Sequence, residues 1–311
     1  ERHGDKLWGG SAIGLGAGML AGGALSQVTD FHTGDVGQMA VLAMLGRGIG
    51  AGAALLSDPK DADPTLIGLL LGGAAGLVTA ATLARPLQYN SGDKTLVGLA
   101  SGWGLWHGAA VGVWLDRDDD FGGSRVAGLT LLSGGLFGVG AIAAGQAWHL
   151  SGFEVAMGSS GLAWGAWLAG WSGALGDWRD PDIMLATAIG GDLGAALSGL
   201  LVSPVVGLDP LVIGGANLGG IGFAGLLTMA TMMITDDRDS WIQANIAGSV
   251  LGMVGGGLVA SRYVSGRGSR ASAISDEVPL SLDWLRGVAA VPLLDPQGHL
   301  QGMSLMLQGA L

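Results

Sequence analysis

TLVGLASGWGLWHGAAVGVWLDRDDD, residues 95–120, is an apolar run closed by a burst of aspartates. Gly104, Gly108 and Gly112 fall four apart in it, as do Gly98 and Gly102. Residues four apart share one face of an α-helix. A helix here carries a groove free of side chains, where another backbone can approach closely, as in small-xxx-small packing. Each glycine costs a helix about 1 kcal/mol relative to alanine. The helix therefore depends on packing or on a water-free solvent. Gly104, Gly108 and Gly112 are expected to face a neighbouring helix at short separation.

The composition agrees with that reading. The 311 residues are 49% hydrophobic and 13% charged, with 61 glycines. Ordinary domains carry about 25% charged residues and about 7% glycine. The hydrophobicity argues against disorder, and the lack of a three-residue glycine period argues against collagen. A mean hydropathy of +0.51 suits a polytopic membrane protein. The net charge of −11 leaves no basic stripe for a nucleic-acid partner. With no cysteine, disulfides, thiolate metal sites and cysteine catalysis are excluded.

Nine apolar segments follow one another, at residues 7–26, 36–56, 66–84, 95–115, 126–150, 155–175, 183–202, 211–234 and 241–264. Each is about long enough to cross a hydrocarbon core of ~30 Å as a helix. The first follows ERHGDK directly. It is long and glycine-dense for a signal-peptide core and reads as the first repeat helix. Acidic loops close alternate segments: SDPKDAD from Ser57, DRDDD from Asp116, DWRDPD from Asp177 and DDRD from Asp236, about 59 residues apart. The other connections place Asp35, Asp93, Glu154 and Asp209 near helix starts. A carboxylate there can cap free N–H groups and oppose the helix dipole.

The expected fold class is all-α, built from tandem αα-hairpin repeats of about 59 residues packed through Gly/Ala faces. Four copies and a half fill residues 1–264, and the hairpin at 66–115 should match the one at 126–175. Two internal marks support the repeat. Gly-Gly-x-x-Gly recurs at Gly72-Gly73-x-x-Gly76, Gly134-Gly135-x-x-Gly138 and Gly190-Gly191-x-x-Gly194. Ser-Gly followed by two tryptophans recurs at Ser101-Gly102 with Trp103 and Trp106, and at Ser160-Gly161 with Trp164 and Trp167. Residues 265–311 read as a polar linker with Arg267 and Arg270, then an extended or β-hairpin arm about the turn Asp295-Pro296-Gln297-Gly298.

The first segment has the fullest zipper, Gly10, Gly14, Gly18 and Gly22, and the last repeats it with Gly248, Gly252 and Gly256. Over about residues 7–264 the pattern resembles the glycine-zipper and glycine-rich helical-hairpin repeat proteins of bacterial envelopes. The resemblance implies close-packed, oligomeric envelope helices and carries over no catalytic residue. It departs from the usual glycine-zipper module in having at least four hairpins rather than one.

Segment lengths and tryptophans at segment ends, such as Trp8, Trp148, Trp178 and Trp241, favour a membrane. Near parity of Lys and Arg between the two sets of loops, and Arg47, His107 and Asp192 within segments, weigh against it. A soluble extracytoplasmic array exposing weakly apolar Ala/Gly faces is the alternative.

The chemistry-bearing candidates are few. Asp116, Asp118 and Asp120, followed by Gly122, have the alternating oxygen spacing of a calcium loop. The bidentate glutamate of such loops is missing, since Ala127 stands in its place. The competing reading is a solvated turn whose aspartates cap the next helix. His107 and His149 read as hydrogen-bonded structural histidines, because converging metal ligands are lacking. Arg47 and Asp192 either pair across the bundle, line a polar path, or sit near helix ends. Gly158-Ser159-Ser160-Gly161 fails as a nucleophile elbow. No acid, base and nucleophile converge, and an enzyme is not expected.

The expected function is therefore a structural or scaffolding component of a bacterial envelope membrane assembly. Its partners would be the lipid bilayer, other subunits and further copies of itself. A membrane channel or transporter is the first rival, although paired proline-broken helices are lacking. The second is a soluble repeat module that binds cations or a protein partner through its acidic rim.

Overall fold

The structure, a computed structural model, describes residues 33–83, 91–118, 120–202, 209–266, 288–294 and 300–307. The first apolar segment with its zipper, the linker from Arg267 and the turn at Asp295 lie outside the described residues. The chain divides into two compact units, Glu1–Ala260 and Ser261–Leu311.

The described residues form eight α-helices: α1 (Thr33–Leu56), α2 (Asp63–Leu83), α3 (Ser91–Leu115), α4 (Gly123–Trp148), α5 (Gly152–Leu175), α6 (Asp180–Ala196), α7 (Pro210–Met232) and α8 (Arg238–Gly266). α6 runs on into a π-helical turn, Leu197–Val202. The described residues of the first unit thus form helices and no strand, in line with the all-α expectation. In the second unit β1 (Val288–Leu294) and β2 (Leu300–Leu307) pair antiparallel, with Val288 opposite Leu307.

Local chemistry sets several helix starts. Ser151 and Glu154 form a capping box on α5: Glu154 N–H donates to Ser151 Oγ at 3.2 Å, and Ser151 N–H to Glu154 Oε2 at 2.8 Å. Asp209 Oδ1 accepts from Leu211 N–H at 2.8 Å, ahead of Pro210 in the first turn of α7. Asp93 behaves differently, lying 1% exposed near the start of α3, against Gly145. Asp237 Oδ2 accepts from Ser240 N–H at 3.0 Å and from its hydroxyl at 2.5 Å. These bonds, the hydroxyl first, hold the Asp237 carboxyl below its ordinary value of 3.8. A depressed carboxyl stabilises the fold above its unfolded value, and the contribution fades as pH falls through the folded one. Asp237→Ala should therefore lower the melting temperature at pH 7. The gap to wild type should close in acid, which melting curves across pH would test.

The closest helix pairs are α1–α2, α3–α4 and α5–α6. α7 and α8 also meet, through Gly215 and Gly219 against Gly252 and Gly256. Each pair flanks an acidic loop. This corrects the pairing expected from sequence, in which residues 66–84 and 95–115 form one hairpin. The reason is the match of glycine faces. Gly46 and Gly50 of α1 lie against Gly68, Gly72 and Gly76 of α2, so that a Cβ on Gly46 would come 3.1 Å from Gly76 Cα. Gly161 and Gly165 of α5 meet Gly190 and Gly194 of α6 in the same reciprocal way. The loops help the reversal, since Asp58 and Asp177 take left-handed backbone at φ 53° and 52°, a conformation aspartate tolerates.

Gly104, Gly108 and Gly112 lie against α4. A Cβ on Gly104 would be 2.6 Å from Ser133 O, and one on Gly108 2.6 Å from Thr130 Cα. Gly98 and Gly102 meet nothing within 4 Å. α1 also packs on α4 and joins the first two helix pairs around Leu42, Leu45, Ala80, Val97, Ala141 and Ile142.

Elsewhere the burial pattern is inverted relative to a water-soluble bundle. Glycines and alanines fill many of the contacts, while large side chains point outward: Leu70 and Leu71 on α2, and Leu218, Leu226 and Met229 on α7. Six helices, α1, α2, α3, α4, α7 and α8, are long and apolar enough to cross a membrane. Only 11% of the spans in α2 and α7 is buried, against 33% in α4, which marks α4 as the more enclosed helix.

Candidate functional site

Several polar groups of the described helices lie where one helix pair meets the next, and tryptophans reach them. Trp103 Nε1–H on α3 donates to Asp192 Oδ1 on α6 at 2.9 Å, and Trp106 Nε1–H to Thr187 Oγ1 at 3.0 Å. On α5, Trp164 Nε1–H donates to Asn217 Oδ1 of α7 at 2.7 Å, and Trp167 Nε1–H to Ser249 Oγ of α8 at 3.1 Å. An indole supplies a large apolar face with one donor, so each bond fixes a ring between helices and satisfies a polar group in an apolar setting.

Glycines seat two of these rings. A Cβ on Gly220 would come 2.5 Å from Trp164 Cζ2, and the Trp103 ring lies over Gly191. The Gly190-Gly191-x-x-Gly194 motif therefore divides its work. Gly190 and Gly194 admit the α5 backbone, and Gly191 admits the indole.

Asp192 is the centre of the first seam. Its Oδ2 lies 2.8 Å from His107 Nε2, while its Oδ1 takes the Trp103 indole. His107 Nδ1 lies 3.1 Å from the carbonyl of Trp103, so both ring nitrogens face oxygen atoms. Phe137 covers the imidazole at 5.0 Å between ring centroids. A cavity of about 880 Å³ adjoins the cluster, with Trp103, Phe137, Trp148, Glu154 and Asp192 on its walls. This arrangement holds helices together through hydrogen bonds.

The remaining sequence candidates lie elsewhere. Arg47 does not reach Asp192. Its stem crosses Gly73, where a Cβ would come 2.8 Å from Arg47 Cγ. His149 ends α4 in left-handed backbone, its N–H bonded to Gly145 O at 2.9 Å. Asp116 commits Oδ1 to the N–H groups of Phe121 and Gly122, at 3.1 and 2.7 Å. Asp118 has Arg117 beside it at 3.5 Å. Among the described residues no three His, Cys, Asp or Glu side chains form a metal-holding group, so Asp116, Asp118 and Asp120 do not converge as calcium ligands. Their geometry is that of a turn before α4.

Sequence reading missed Thr187, Asn217 and Ser249. Each is a polar residue inside an apolar segment, a signal that means something only once its tryptophan is known. Comparison with known proteins gives no relative: no family model, no curated protein and no solved structure matches this chain.

Proposed function

We propose that this chain is a membrane-embedded, non-enzymatic scaffold of a bacterial envelope assembly, made of tandem helical hairpins. The observation that carries the reading is the inverted burial. Leu218 is 75% exposed and Met229 65%, while small residues and tryptophan hydrogen bonds occupy the helix contacts. Lipid tails or the apolar faces of other subunits and further copies would cover such an exterior. Glycine faces suit a solvent that offers no hydrophobic drive between helices, where close backbone approach supplies the attraction.

Three measurements test this. The chain should stay with membranes through alkaline carbonate washing and leave them only in detergent. Monodisperse behaviour without detergent would replace the scaffold with the soluble module. Leu218→Arg, near the middle of α7, should reduce membrane insertion by an amount equivalent to about 2.5 kcal/mol. A soluble protein would accept that exposed substitution almost without change. Reconstituted vesicles should leak ions no faster than protein-free ones; selective flux would favour the channel reading, to which the His107–Asp192 pair lends some support.

A further inference from the structure

A groove of about 490 Å³ lies between the first halves of α1 and α3. Leu42, Leu45 and Val97 of the core cluster form its floor, and Met44, 70% exposed, stands at its open side. Gly37 and Gly98 line it from the two helices, and a Cβ added to either would meet nothing within 4 Å. Ser101 gives its hydroxyl proton to Val97 O at 2.7 Å, which leaves the inner part of the groove apolar. The groove also has a depth that means something in a bilayer. The spans long and apolar enough to cross a membrane begin at Gly37 in α1 and at Gly92 in α3. From Gly37 to Leu45 the helix rises about 12 Å, most of the ~15 Å that one leaflet contributes to a hydrocarbon core.

Lys94 lies at the outer end of this groove, in the first turn of α3, exposed and in no ion pair among the described residues. Asp93 beside it is buried against Gly145 of α4. The other two large cavities differ. The one beside Asp192 has Glu154 and Asp192 on its walls and no Lys or Arg, and one between α5, α7 and α8 has no charged residue at all. Only the α1–α3 groove joins an apolar bed of leaflet depth to an ammonium group at its mouth. A hydrocarbon chain suits the bed, and a basic residue at the membrane boundary attracts anionic headgroups. We propose that this groove binds an acyl chain of an anionic phospholipid, with the headgroup phosphate at Lys94. The proposal rests on the membrane-embedded reading above and names the lipid that one part of the surface selects. A zwitterionic lipid offers the same chain and phosphate, but its own ammonium group competes with Lys94 for the phosphate.

The test offers the full chain in detergent equal amounts of phosphatidylglycerol and phosphatidylcholine with the same acyl chains. Native mass spectrometry then reads which lipid stays bound. The expected result is a tightly held lipid, with phosphatidylglycerol favoured at least about fivefold, as one basic residue beside an anionic lipid gives. Lys94→Ala should bring that preference close to one, and Lys94→Arg should keep it. Gly37→Leu fills the groove without meeting backbone and should remove the tight lipid while the helical circular dichroism holds. Gly98→Leu fills it from the facing wall and decides alone if Gly37→Leu fails to fold. Inorganic phosphate should not displace the lipid, since it brings no chain. Equal retention of the two lipids by wild type, an unchanged preference in Lys94→Ala, a tight lipid in a folded groove-filled variant, or displacement by phosphate overturns the proposal. Carbonate washing of the same variants separates this from the membrane reading. Lost lipid preference in a chain that resists carbonate overturns the lipid site alone, and release of the wild type by carbonate overturns both.

Discussion

Gly108→Leu should unfold the chain or destabilise it by more than about 3 kcal/mol, at or beyond the usual limit of overpacking. A Cβ at this position would collide with the Leu129 carbonyl and lie 2.6 Å from Thr130 Cα, and both obstacles are backbone of α4. A flexible side chain could move aside, but helix backbone cannot do so without separating α3 from α4. That separation would break the closest contact in the second helix pair and disturb the α1–α4 joint beside it. The comparison variants are Gly98→Ala and Gly102→Ala on the same helix, where an added Cβ meets nothing within 4 Å. They should be neutral or stabilising by up to about 1 kcal/mol through helix propensity alone. Denaturant unfolding in detergent, followed by far-ultraviolet circular dichroism, reads all three. Similar results at positions 108 and 98 would mean that glycine spacing does not set the α3–α4 contact.

That contrast shows how far the sequence could be read. Four-residue spacing placed Gly104, Gly108 and Gly112 on one face, and the face was the correct one. The same spacing linked Gly98 and Gly102, which line no helix contact. Periodicity gives the face of a helix but not its partner. The hairpins were paired wrongly for the same reason: every segment carries glycines, and only their mutual register selects α1 with α2 or α5 with α6. Caps were legible because they are local, as Ser151 with Glu154 and Asp209 with Leu211 show. The polar seams were not, because Trp103 and Asp192 stand 89 residues apart. At the acidic loop, alternating aspartates suit a calcium loop and a turn equally, and the backbone N–H groups of Phe121 and Gly122 that meet Asp116 Oδ1 become visible only in the fold.

Asp192→Leu should cost about 4 kcal/mol in a bilayer, and Asp192→Asn much less. Leucine leaves the Trp103 indole N–H and the His107 Nε2 position without the oxygens that now sit at 2.9 and 2.8 Å. Each polar group stranded away from water costs about 1–3 kcal/mol, and two are stranded together. The Asp192 side chain is 53% exposed and that of His107 17%, so the size of the loss depends on what surrounds the seam. In water, solvent molecules would replace much of the carboxylate, and the loss would shrink towards 1 kcal/mol or below, the net worth of an ordinary hydrogen bond. In lipid no such replacement exists. Asparagine keeps an oxygen for Trp103, and through it the contact between α3 and α6. Unfolding of both variants in lipid bicelles should therefore rank leucine well below asparagine. If the two behave alike there, the seam is hydrated, and the apolar surroundings assigned to it are wrong. The Trp103 share of the fluorescence, taken as the difference from a Trp103→Phe background because the chain holds 11 tryptophans, supplies the local readout: it should shift in the leucine variant as the ring leaves its seat over Gly191, and hold in the asparagine variant.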